Sequence, residues 1–354
     1  MHNLTQNRVP RNRLHQLLMF CCAGMLLLMT ISRCSAQPSV VERHGQLAVK
    51  GNRIVDKNGE PVVLRGMSLF WSQWIGKYYN RDAVKWLRDD WSCSVVRVAM
   101  AVGSGGYLEN PEREKAKVIA VVDAAIELGI YVIIDWHDHE AHHNTQKAQE
   151  FFADMAQRYG KHPNVIYEVF NEPLQNASWS NDIKPYCEAV IKSIREHDPD
   201  NLVICGTRAW SQRVDEPSLD PIKSSNVAYT LHFYAASHKQ WLRDVATKAL
   251  NNGIALMVTE FGTTEASGNG TFDQEETRKW WQFLDENGIS WCNWSLADKN
   301  EASAALKPGA NPNGGWTDDE ISPSGLFIRE ELRRQAALKP QAALKPQAQT
   351  KSNP

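Results

Sequence analysis

Short apolar runs alternate with amphipathic helical patterns eight times along this chain of 354 residues, and that alternation limits the fold more than any other feature. The runs are Val62 to Gly66, Ser94 to Ala99, Ile130 to Asp135, Val165 to Phe170, Leu202 to Cys205, Val227 to Leu231, Leu256 to Thr259 and Ile289 to Asn293. Most are apolar at successive positions, which suits strands covered on both faces of a parallel sheet. Between them, "EREKAKVIAVVDAAIELG" sets Val118, Val121, Val122, Ala125 and Ile126 at helical spacing and ends on Gly129. "TQKAQEFFADMAQRYG" and "SNDIKPYCEAVIKSIREHD" behave alike, the second opening on Ser180 as an N-cap. Eight strand-helix units favour an α/β fold, a closed (β/α)8 TIM barrel, over an open doubly wound sheet, and no GxGxxG or P-loop supports nucleotide binding. An N-terminal β-hairpin is expected ahead of the barrel in "LAVKGNRIVDKNGEPVVL", with Lys57-Asn58-Gly59 as its turn.

The ends of the chain differ in composition from the middle. Residues 1–36 hold no Asp or Glu and run from Arg8, Arg11 and Arg13 through an apolar stretch, Leu17 to Ile31, to Cys34-Ser35-Ala36. This reads as a secretory signal peptide, too short in its apolar part for a membrane anchor. Residues 37–333 form the expected catalytic domain, and 334–354, with its repeated Ala-Ala-Leu-Lys-Pro, an expected disordered tail. The whole chain has 39 basic and 41 acidic residues; loss of the four Arg of the leader leaves 35 against 41, a formal charge of −6. Such a balance argues against a nucleic-acid partner. Cys93, Cys187, Cys205 and Cys292 remain, with no CxxC pair, and either disulfides or buried thiols are compatible with their positions. The sequons at Asn176 and Asn269 lie in polar loops and that at Asn293 at a strand end.

A parallel barrel does its chemistry at the C-terminal ends of its strands. The residues at and just beyond those ends are polar and aromatic here: Trp71 and Trp74, Arg97, Asp135-Trp136-His137, "YEVFNEP", Trp210, "LHFY", "VTEFG" and "CNWSLADKNE". Glu172 and Glu260 each project from the end of an apolar run. Two carboxylates across one pocket suit glycoside hydrolysis, one protonating the leaving oxygen while the other attacks the anomeric carbon or activates water. A single strand-end Glu is more often a structural partner of Arg, but these two occur with Asn171, His232, Tyr234 and Trp294.

In order, "RGMS", "VVRVAM", "VIIDWH", "VIYEVFNEP", "YTLHFYA", "VTEFG" and "NWSLADKNEAS" make the chain resemble the family 5 glycoside hydrolases, in particular their secreted endo-β-1,4-glucanase (cellulase) branch, over about residues 45 to 330. The resemblance implies a retaining enzyme with Glu172 as acid/base and Glu260 as nucleophile. It further implies that Arg97 and Tyr234 bond the nucleophile, that Asn171 holds the sugar 2-hydroxyl, and that His137 and His232 line the cleavage subsite. Trp294 would face the sugar there, with Trp74, Lys299 and Glu301 toward the non-reducing end. Many bacterial members carry a His after "RGMS"; here Leu69-Phe70-Trp71 stand in that place. Trp86, Trp241, Trp280 and Trp281 lie in helical patterns and are expected to pack, while Trp179, Trp210 and Trp316 are loop candidates for substrate contact.

The stretch "DWHDHEAHHN" crowds His137, His139, His142 and His143, but no HExxH helix or outlying ligand set accompanies it. The expectation is no metal and no cofactor, with His139, His142 and His143 as solvated loop residues. The expected partner is a β-1,4-glucan, with no nucleic acid and no membrane after signal cleavage, and the protein a secreted, extracellular monomer. The rival readings are an endo-β-1,4-mannanase or xyloglucanase on the same scaffold, a catalytically inactive sugar-binding protein, and a metal-dependent hydrolase.

Overall fold

A computed structural model describes His2 and residues 38–338 of the protein. The signal peptide expected over residues 1–36 and the segment after 338 lie outside the described residues. A short helix, Val40–His44, comes first; Ser39 caps it and Glu42 completes a capping box. Strands β1 (Ala48–Lys50) and β2 (Arg53–Val55) then pair as an antiparallel hairpin. Its turn is Gly51-Asn52, not Lys57-Asn58-Gly59: Gly51, at φ +60°, takes the left-handed geometry a two-residue turn requires. The later turn brings the chain back to an isolated bridge between Val55 and Pro61.

Eight parallel strands come next: β3 (Arg65–Leu69), β4 (Val95–Ala101), β5 (Tyr131–His137), β6 (Val165–Glu168), β7 (Val203–Cys205), β8 (Val227–Tyr234), β9 (Leu256–Gly262) and β10 (Trp291–Leu296). They close in sequence order, β10 pairing back onto β3, which is the (β/α)8 barrel. β3 starts at Arg65 rather than Val62. Gly66 has no alternative there, since a Cβ would stand 1.7 Å from the Val95 carbonyl oxygen.

Alternation within the strands sorts side chains into two environments. Val96, Val98, Val132 and Ile134 join Val118, Val121, Val122, Phe151 and Phe152 of the surrounding helices in one core. Their neighbours Val95, Tyr131 and Ile133 form a second cluster with Ile166, Ile204, Met257, Leu47 and Ile54. The hairpin therefore packs on the lower barrel interior, where each fully buried aliphatic side chain contributes about 1.5–3 kcal/mol. One residue pair further along the strands, the interior turns polar: Arg97, Asp135, Glu168, Thr230, His232 and Thr259 are all buried.

Helix Pro111–Leu128 ends on Gly129 at φ +69°, as its sequence requires. Helix Lys184–Arg195 is preceded by a π-helical turn, Trp179–Ile183, capped by Ser178 rather than Ser180. The last helix, Pro323–Ala337, crosses the 333/334 boundary drawn between the expected domain and the expected tail. Among the described residues, Cys93, Cys187, Cys205 and Cys292 are all buried free thiols. Among the sequon asparagines of the described residues, Asn176 and Asn269 are exposed, while Asn293 is buried and donates to the Phe261 carbonyl at 3.0 Å. Among the described residues, no helix is long and apolar enough to cross a membrane.

Candidate active site

The polar upper layer of the barrel centres on Arg97, which is fully buried. Its Nε and Nη2 fork onto Glu168 at 2.7 and 3.2 Å, Nη2 also bonds the Asn171 Oδ1 at 2.6 Å, and Nη1 reaches Glu260 Oε2 at 3.0 Å. Asp135 completes the ring, 3.0 Å from Nη2. A buried cation beside three carboxylates remains charged; burial opposes this, but Asp135, Glu168 and Glu260 raise its affinity for the proton.

Glu260, on β9, receives a second hydrogen bond from Tyr234 Oη at 2.8 Å on its other oxygen. Glu172 lies just beyond β6. A Glu172 carboxylate oxygen, a Glu260 carboxylate oxygen and a His232 ring nitrogen all fall within 4.8 Å of one another. The expected acid and nucleophile therefore face each other across one cleft.

Two imidazoles hold Glu172: His232 Nδ1 lies 2.9 Å from Oε1, and His139 Nε2 lies 3.2 Å from Oε2. His139, expected to be a solvated loop residue, is thus a correction; it is 39% exposed but its ring is turned to the acid, beside Trp71. The tautomer of His232 is set by its other contact. Thr259 Oγ1 donates to Glu168 at 2.6 Å, so at 2.9 Å from His232 Nε2 it accepts, and Nε2 carries a proton. Nδ1 is then the atom that gains or loses one.

Burial opposes ionisation of Glu172, but the hydrogen bonds from His139 and His232 outweigh it and hold the carboxyl at about 2. His232 is conversely pushed up to about 9, against burial, by Glu168 and Glu172. Glu260 is raised by burial and by the Glu172 charge, while His232, Arg97 and Tyr234 oppose the rise. With the two shifts in these directions, the proton shared by the pair favours imidazole over carboxylate. Moving it across 2.9 Å to Glu172 makes the acid and also removes the repulsion that raises Glu260, leaving the latter ionised between Arg97 and Tyr234.

His137 is buried, hydrogen-bonds Asp135 through Nδ1 at 2.6 Å, and lies parallel to Trp294 with ring centroids 5.2 Å apart. Burial first, then Arg97, His139 and His232, keeps it neutral. Asn171 Nδ2 is buried without a hydrogen-bond partner. Trp74 is 60% exposed, beside Trp71 and Phe70. Lys299 and Glu301 pair with each other, and the Lys299 ammonium sits 4.9 Å from the Phe70 ring centre.

Among the other tryptophans, Trp280 and Trp281 pack as expected, while Trp241 is 48% exposed and Trp179 and Trp316 are buried. Trp210 is exposed; Ala209, Trp210 and Ser211 all have φ near +57°. Such geometry costs non-glycine residues about 1–2 kcal/mol each, and Trp210 N to Pro173 O (2.9 Å) and Ser211 Oγ to Asn171 O (2.7 Å) hold it. Sequence reasoning assigned no role to Asp135, Glu168 or Thr259. A charge or hydroxyl inside an apolar strand is the signal that marks each.

A family model described as cellulase (glycosyl hydrolase family 5) matches residues 55–300. The chain is 51% identical to Endoglucanase Z of Dickeya dadantii, covering 86% of this chain and 72% of that one. It is 46% identical to Endoglucanase N of Pectobacterium atrosepticum, covering 93% and 74%. Among solved structures, a protein from Cytophaga hutchinsonii superposes with a TM-score of 0.84 at 58% identity, over 84% of this chain and 97% of that one. The catalytic domain of Thermobifida fusca endoglucanase Cel5A does so with 0.80 at 34%, over 84% and 100%. The chain belongs to the cellulase family of glycoside hydrolases, glycosyl hydrolase family 5.

Proposed function

We propose that this glycoside hydrolase is a secreted endo-β-1,4-glucanase that cuts internal bonds of cellulose and related glucans with retention of configuration, using Glu172 as acid/base and Glu260 as nucleophile. The observation that carries the mechanism is the approach of the two carboxylates, whose nearest oxygens lie within 4.8 Å. Retaining pairs stand about 5–5.5 Å apart, whereas inverting pairs leave room for water at about 6.5–9.5 Å. The glucan preference rests on the endoglucanase relatives and on a Thermobifida fusca Cel5A variant solved with cellotetraose. Export rests on the sequence of residues 1–36.

In the first step a Glu260 oxygen attacks the anomeric carbon while Glu172 passes its proton to the glycosidic oxygen, breaking that bond and leaving a glycosyl ester on Glu260. In the second, the Glu172 carboxylate takes a proton from water, which attacks the same carbon and frees Glu260. Tyr234 and Arg97 hold Glu260 at the angle of attack. Asn171 Nδ2 supplies a hydrogen bond to the sugar 2-hydroxyl, His137 Nε2 accepts from another hydroxyl, and Trp294 and Trp74 offer apolar faces to pyranose C–H groups. We assign Trp210, whose N–H bonds the Pro173 carbonyl next to Glu172, to the leaving portion of the chain.

The experiment is anomer-resolved NMR of fresh products from cellopentaose, with galactomannan hydrolysed in parallel. β-Anomer products from internal cleavage, and a much slower attack on galactomannan, are expected. α-Anomer products would sink the retaining mechanism, and faster galactomannan hydrolysis the glucan preference.

A further inference from the structure

Outside the reacting groups, the described residues include a fully buried carboxylate that the mechanism does not use: Glu114, in the first turn of helix Pro111–Leu128. Its Oε2 accepts from Ser72 Oγ at 2.5 Å, and its Oε1 accepts from Lys117 Nζ and Arg113 Nε at 2.8 and 2.7 Å. Burial raises its pKa, but the bonds from Lys117, Ser72 and Arg113 prevail and keep it ionised.

Ser72 lies between Trp71 and Trp74 and is itself fully buried. All its polar atoms are engaged. Its N–H donates to Ala99 O at 3.2 Å, its Oγ also accepts from Ala101 N at 2.9 Å, and its carbonyl accepts from Lys117 Nζ at 2.8 Å. Tyr79 Oη reaches the Phe70 and Ala99 carbonyls at 2.6 and 2.9 Å, holding the base of the same arm. An ion pair with one partner buried is a poor source of net stability, because desolvation of Glu114 offsets the attraction, but it fixes geometry.

We infer that Glu114, Lys117 and Ser72 form a clamp that positions the Trp71–Trp74 arm, and that they are positioning residues for binding the glucan chain away from the cleavage point. Trp74 would otherwise be a 60% exposed indole on a loop, losing side-chain entropy whenever it holds a sugar. The inference rests on the reading of Trp74 as a sugar platform.

The test is a double-mutant cycle on the full chain with cellopentaose, using Ser72→Ala, Trp74→Ala and the pair, with Glu114→Gln as a second way to break the clamp should Ser72→Ala fail to fold. Ser72→Ala or Glu114→Gln should raise KM about 5-fold with kcat within about twofold, and should raise it no further once Trp74 is Ala. The near-UV circular dichroism of the Trp71–Trp74 pair, whose rings lie 5.3 Å apart, should weaken in both single clamp variants. Equal KM increases in the presence and absence of Trp74, or none in either clamp variant while Trp74→Ala has its effect, would overturn the clamp alone. An unchanged KM in Trp74→Ala would overturn the platform reading and the clamp with it.

Discussion

His232 Nδ1 and Glu172 Oε1 stand 2.9 Å apart, and the partner at the other ring nitrogen leaves Nδ1 as the exchangeable position. Acid and imidazole thus act as one proton-holding unit, which retains its proton to a higher pH than either group would alone. Replacing His232 with Gln keeps a hydrogen-bonding side chain but removes the reservoir. The alkaline limb of kcat/KM should move down by about 1 pH unit or more, read from initial rates on carboxymethylcellulose between about pH 5 and 10. An unmoved limb would show that another group controls it.

The same shifts fix a stability profile. His232 is raised on folding from 6.5 to about 9, so its contribution is complete below pH 6.5 and is lost as pH climbs through 9. Glu172 is lowered from 4.5 to about 2, so its contribution is complete above pH 4.5 and is lost as pH falls toward 2. The melting temperature should therefore peak between about pH 4.5 and 6.5 and decline on both sides. Scanning fluorimetry from about pH 2 to 10 checks it, and the alkaline decline should flatten in His232→Gln.

Glu260→Gln removes the nucleophile while keeping a similar shape between Arg97 and Tyr234. Turnover of cellopentaose should fall by about 10⁴-fold or more, with oligosaccharide binding still measurable by calorimetry. Near-normal turnover would mean that the covalent ester forms elsewhere or not at all.

Arg97→Lys keeps the charge but loses the fork that bonds Glu168, Asn171 and Glu260 together. With every partner buried, the cost should be on the order of 3 kcal/mol in urea unfolding, accompanied by loss of activity. A variant as stable as the parent would imply that Lys can satisfy the whole ring.

The barrel is legible in the sequence because most of its strands are dense apolar runs, and Glu172 and Glu260 are legible because each closely follows such a run. β3 starts late because Val62 and Leu64 belong to the hairpin's cluster beneath the barrel, where apolar character does not require a ladder. Glu168 and Asp135 are harder to place. Their inward direction depends on strand alternation and barrel stagger, which reveal that Arg97 serves three carboxylates and not Glu260 alone. His139 lies in a loop whose course only tertiary packing decides, so no spacing rule could bring it to Glu172. Trp241 and Trp316 reverse their expected roles for a related reason, since periodicity does not say which indole meets a neighbouring element.

The four cysteines have a practical bearing on handling. Cys93, Cys187, Cys205 and Cys292 fill interior space as free thiols, so the packing around them calls for no cross-link among the four. Thiol reductants in the assay buffer should therefore leave the catalytic rate unchanged, since none of these four side chains is held by a bond that they could break.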